Sequence, residues 1–83
     1  MMLHLVSNSA GFSACKRSLL PDDKVLFLGN GVYVAEETAC EQTFAILQDV
    51  NARGLSLCEG VKGIDYDDFV QLVVSTPSSV TWT

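Results

Sequence analysis

Lys24-Val25-Leu26-Phe27-Leu28-Gly29-Asn30-Gly31 is the stretch that decides the fold. After Lys24 the run shows no polar alternation, which predicts a strand covered on both faces, as in a parallel sheet. Gly29-Asn30-Gly31 then turns the chain sharply, and a tight turn demanding positive φ accounts for both glycines. A turn that follows a central strand and opens a helix is also where open α/β sheets bind ligands, and its amides could cradle an anion. It lacks the third glycine of a dinucleotide fingerprint and the lysine of a phosphate loop, so the tight turn is the preferred reading.

Outward from this stretch, strands and helices alternate. Leu3-His4-Leu5-Val6 reads as a strand ended by the turn residues Ser7-Asn8-Ser9. Phe12 to Leu20 makes a short helix, with Ser9 or Ser13 as its cap and Pro21 as its stop. Val32 to Thr38 follows as a second helix, and Thr43 to Leu47 is a third strand of the continuous apolar kind. Asp49 to Arg53 makes one or two helical turns closed by Gly54. Val61 to Ile64 is a fourth strand, and Val80 to Thr83 a last strand at the sheet edge. Such alternation predicts one small three-layer αβα domain over residues 1–83 with a mostly parallel central sheet.

Between the last two strands, Asp65 can cap the first turn of a helix. Asp67 and Asp68 place negative charge at its positive end, and this dipole role is preferred to an acid/base pair because adjacent positions point apart. Tyr66, Phe69, Val70 and Val73 recur at helical spacing, while Leu72 and Val74 carry apolar surface to a second face. A two-sided helix in a chain of 83 residues predicts one face against its own sheet and the other against a neighbouring subunit. Tyr66 and Phe69 are therefore interface candidates.

Composition narrows the function. Ten acidic and five basic residues give a net charge of -5, and the basic residues form no stripe, which argues against direct nucleic-acid binding. No apolar run approaches the ~20 residues needed to cross a bilayer, so no membrane role is expected. The N-terminal stretch lacks a basic segment before its apolar residues, which predicts a cytoplasmic protein without a secretory signal. Cys15, Cys40 and Cys58 are odd in number and form no CxxC pair, so reduced thiols are expected and neither a metal nor another cofactor is called for.

Five pieces in order, Leu3-His4, the Val25 to Tyr33 strand and turn, Asp49 to Gly54, the Asp65-Tyr66-x-x-Phe69-Val70-x-Leu72 helix and Trp82, resemble the DsrH/TusB family of the DsrE-like fold. The resemblance covers nearly the whole chain. It implies a subunit of a heterohexamer built from two copies each of three related small proteins, the others being DsrE/TusD-like and DsrF/TusC-like. In the TusBCD branch such a complex passes persulfide sulfur towards tRNA for 2-thiolation of the wobble uridine. In the DsrEFH branch it serves sulfur oxidation. The main sulfur-carrying cysteine lies on the DsrE/TusD-type subunit, so this chain is expected to be an accessory partner.

Cys15 is the one candidate for chemistry, as a persulfide relay. Lys16 and Arg17 stand beside it, and nearby positive charge lowers a thiol pKa. It also falls where members of the DsrH branch carry their cysteine, sixteen residues before Gly31. The competing reading is a small buried residue of the first helix. Cys40 and Cys58 match no family position and read as incidental thiols in loops. His4, the only histidine, reads as a packed or interface residue rather than a base. Arg53 reads as the cation at the end of its short helix. Trp82 reads as cover over the sheet edge or as an interface anchor. The alternative to a relay subunit is a stand-alone homo-oligomeric module that binds a small anion at Gly29 to Gly31.

Overall fold

The computed structural model describes residues 2–37, 43–56 and 60–82. Strand β1 (Leu3–Val6) leads into α1 (Ser9–Cys15), which tightens into a 3₁₀ turn over Lys16–Ser18. Strand β2 (Lys24–Phe27) and a 3₁₀ turn at Gly29–Gly31 open α2 (Val32–Glu37). There follow β3 (Thr43–Ile46), α3 (Leu47–Ala52), β4 (Val61–Ile64), α4 (Tyr66–Ser75) and β5 (Ser79–Trp82).

The strands form one sheet in the order β4-β3-β2-β1-β5, and every neighbouring pair is parallel. Each connection carries a helix, as parallel neighbours require. Alternation along the strands sends side chains to two cores. Val6, Val25, Phe27, Ala45 and Val61 meet Phe12 and Cys15 of α1, Val32 of α2 and Val50 of α3. On the opposite face Leu3, Leu26, Ile46 and Ile64 meet Phe69, Leu72 and Val73 of α4. The three layers are thus three helices, the sheet and one helix. Full burial of side chains such as Phe27, Leu26 and Ile46 is worth about 1.5–3 kcal/mol each.

Several local readings need correction. The first helix begins at Ser9 rather than Phe12, because the Asn8 side chain accepts the Gly11 amide at 2.6 Å and so caps the helix ahead of both serines. The two turn glycines exist for different reasons. Gly29 has φ +54°, in the left-handed region, with open space where a Cβ would stand. Gly31 has no such φ; a Cβ there would lie 2.1 Å from the Val6 carbonyl oxygen, so its role is close approach of backbones.

Helix α4 starts as expected, with the Asp65 carboxylate accepting the Asp68 amide at 2.8 Å and Asp67 and Asp68 in the first turn. Its faces divide differently. Phe69, Leu72 and Val73 turn to the sheet, whereas Tyr66, Val70 and Val74 are 47, 56 and 79 % exposed. These last three recur every fourth residue and form one outward row.

Candidate functional site

Three groups of side chains bear on function: the Cys15 thiol, a buried network around His4, and a polar rim where β2 and β3 end.

Cys15 closes α1 on its sheet-facing side and is fully buried among the residues of the three-helix core. Burial, and after it the negative charge of Asp23, pushes the thiol up to about 11. Asp23, rather than the neighbouring Lys16 and Arg17, is the charged group that moves the thiol, and the Lys16 ammonium lies 5.2 Å from the centre of the Phe12 ring. A thiol without access and without thiolate is a poor partner for persulfide exchange. Cys40 and Cys58, read as incidental thiols, lie outside the described residues.

His4 is 1 % exposed and sits between two partners. Trp82 donates its indole N–H to His4 Nδ1 at 3.0 Å. An indole nitrogen only donates, so Nδ1 accepts and the proton of the neutral ring is on Nε2. Nε2 then donates to Asp23 Oδ2 at 2.9 Å. The Asp23 carboxylate also accepts the Leu20 amide at 3.1 Å and the Met2 amide at 3.0 Å. The His4 bond first, and the backbone amides with it, hold Asp23 below the usual carboxylate range. This chain of bonds ties the entries of β1 and β2 to the end of β5. His4 is therefore a structural hub inside the protein, joined by side-chain bonds to Trp82 and Asp23. Its ring stacks on Trp82 with centroids 6.2 Å apart.

At the opposite end of the sheet, Asp49 of α3 accepts the Gly29 amide at 2.9 Å, and the Tyr66 hydroxyl approaches the same oxygen at 3.5 Å. Arg53 donates to the Asp49 carbonyl at 3.1 Å and to Asn30 Oδ1 at 3.0 Å. Its guanidinium lies 5.9 Å from the Tyr33 ring centre. Arg53 thus satisfies the end of its own helix, as expected, and also pins the turn after β2. The Gly31 amide donates to the Leu28 carbonyl at 2.9 Å. The Gly29 and Gly31 amides are thus committed within the protein, with a carboxylate beside them.

Residues 6–79 match the family model described as DsrH like protein. The chain is 34 % identical over 95 aligned residues to Protein TusB of Salmonella dublin, covering 98 % of this chain and all of that protein. Protein TusB of Escherichia coli K12 gives the same identity and coverage, and that of Salmonella arizonae is 33 % identical over the same span. The chain belongs to the DsrH family.

Within this DsrH-family chain, the sequence-derived candidates do not converge on one centre. Cys15 and His4 share the three-helix side of the sheet, whereas Tyr66 and Phe69 belong to α4 on the other. Among the described residues no cluster of three or more histidine, cysteine or acidic side chains could hold a metal ion. No helix of the described chain is long and apolar enough to cross a membrane. Sequence reading missed Asp23 and Asp49, which organise the two polar groups. Asp23 stands in a Pro-Asp-Asp turn, a local signal for hydrogen-bonding carboxylates, but nothing near it in the chain points to His4.

Proposed function

We propose that this chain is an accessory, non-catalytic subunit of a cytoplasmic sulfur-relay complex that serves 2-thiolation of the tRNA wobble uridine. Its partners are DsrE/TusD-like and DsrF/TusC-like subunits in a heterohexamer. The observation that carries the reading is the end-to-end similarity to Protein TusB, which spans 98 % of the chain. The buried Cys15 supports an accessory role, since the transferable sulfur is then borne by another subunit. A homo-oligomer replaces the heterohexamer where those subunits are absent.

Helix α4 is the surface this role calls for. Among the described residues it is the lone helix over its face of the sheet, and it leaves Leu5, Leu28 and Phe44 only partly covered. Tyr66, Val70 and Val74 add an outward apolar row, so a sister subunit gains buried area from both. Co-expression with the candidate sister subunits, followed by affinity capture and mass measurement, tests the assembly. Measurement of 2-thiouridine in tRNA from cells lacking this chain tests the role. Absence of a complex together with unchanged 2-thiouridine would reject the proposal.

A further inference from the structure

The two edges of the sheet are unlike. At one, β4 carries the exposed Lys62 and the ungarnished Gly63, the kind of charge that discourages a further strand. At the other, β5 reads Ser79-Val80-Thr81-Trp82, and residues 76–83 contain no ionisable side chain in a chain of net charge -5. No proline or charge guards it within the strand.

Hydrogen bonding fixes which groups face outwards. In the parallel pairing with β1, the Leu3 amide donates to the Ser78 carbonyl at 3.0 Å and the Ser7 amide to the Trp82 carbonyl at 3.2 Å. Alternate residues of β5 therefore serve β1, and the N–H and C=O of Ser79 and Thr81 point away from the sheet. Beside them, on the three-helix side, Val80 and Trp82 are half-buried and border a cleft of about 410 Å³ shared with Met2, His4, Leu20 and Asp23. Leu20 at its rim is 67 % exposed.

We infer that β5 is a self-pairing edge, whose occupant is β5 of a second copy of this chain, run antiparallel about a two-fold axis through Val80. That register sets Ser79 opposite Thr81 of the second copy, and each such pair exchanges both of its N–H···O=C bonds. Val80 meets its counterpart as a non-hydrogen-bonded pair, where side chains approach most closely. Trp82 meets Ser78, so the half-open faces of Val80 and Trp82 are covered. The interface is isologous, as a two-fold requires. Charge favours a second copy here and nowhere else along the described edges: two chains of like net charge meet through an uncharged strand, whereas α4 would bring Asp67 and Asp68 to the contact. The inference concerns the chain by itself and stands apart from the sulfur-relay reading.

The test uses the purified 83-residue chain in sedimentation equilibrium at micromolar concentration. The expected mass is twice the 9.0 kDa of one chain. Thr81→Pro removes an outward N–H that β1 does not use, and should give a folded monomer, while Val70→Asp on α4 should remain a dimer. Hydrogen exchange on the wild-type dimer provides a second reading, with the Ser79 and Thr81 amides protected at least about tenfold over those of an open strand. This reading also decides the matter if Thr81→Pro fails to fold. A monomeric wild-type chain, a dimer that survives Thr81→Pro, or freely exchanging Ser79 and Thr81 amides in the dimer overturns the inference. Protection of those amides only after other subunits are added would replace the second copy with a foreign strand.

Discussion

Trp82 donates its indole hydrogen to His4 across 3.0 Å, so the last strand is locked to the first by a side-chain bond as well as by their backbone ladder. Replacement by phenylalanine keeps most of the apolar surface and leaves the buried His4 Nδ1 without a donor. Trp82→Phe should therefore cost about 1–3 kcal/mol, the penalty for an unsatisfied buried acceptor. Urea unfolding with unchanged slope would measure it.

The same network sets a response to acid. Asp23 titrates below its ordinary 3.8 in the folded protein because His4 and the Leu20 and Met2 amides donate to it. A carboxyl whose folded value is depressed stabilises the fold above its unfolded value, and that contribution is lost as pH falls through 3.8 towards the lower folded value. Asp23→Asn should flatten the loss of thermal stability between pH 5 and pH 3 relative to wild type, by about the share that this carboxyl contributes. An unchanged acid limb would show that other carboxylates govern it.

Cys15 should be the protected thiol rather than the reactive one. With its pKa raised to about 11, alkylation of the folded protein at pH 8 should leave Cys15 unmodified and proceed once the chain is unfolded. Incubation with a persulfidated donor, read by mass spectrometry, should place no sulfur on it. Cys15→Ser should destabilise by about 1–3 kcal/mol through a buried hydroxyl, with Cys15→Ala milder.

The two glycines of the turn separate backbone conformation from space. Gly29→Ala meets nothing within 4 Å but must hold φ +54°, and should cost about 1–2 kcal/mol. Gly31→Ala drives a methyl into the Val6 carbonyl and should cost more, about 2–4 kcal/mol, because backbone rather than a side chain must give. Thermal unfolding of both variants orders them, and a reversal would mean that β1 yields easily at Val6.

Helix α4 divides stability from assembly. Phe69 is partly buried against the sheet, so Phe69→Ala should cost about 2–3 kcal/mol, below the range for a fully enclosed ring. Val74→Asp, at a position 79 % exposed, should change stability by less than about 0.5 kcal/mol yet weaken capture by sister subunits. Equal losses of stability in the two variants would contradict the division of faces.

Local signals carried most of the fold. The unalternating run after Lys24, the Asp65 cap and the glycine closing α3 each act within a few residues, and each shows in the sequence. The start of α1 was obscured because Ser7, Asn8 and Ser9 are all competent caps, and only geometry selects Asn8. The faces of α4 were obscured because apolar residues occupy both sides, so periodicity names a helix without naming its inner stripe. The electrostatics of Cys15 are not legible from adjacency along the chain: Lys16 and Arg17 are next in sequence, while Asp23 is the charge that acts on the thiol. The His4 hub joins residues 19 and 78 positions apart, a separation at which no sequence window operates.

The strand order has a consequence in time. Strand β1 lies between β2 and β5, yet β5 leaves the ribosome after the other four strands have been made. Until then Leu3 to Val6 form a rim with unmet amides and carbonyls, on a strand whose Leu3, His4 and Val6 are buried in the finished protein. A nascent chain halted within α4 offers that rim to any extended segment nearby, which is the situation in which trigger factors and other chaperones intercept translation. Translation of β5 thus acts as a closing step, after which β1 ceases to be an aggregation hazard.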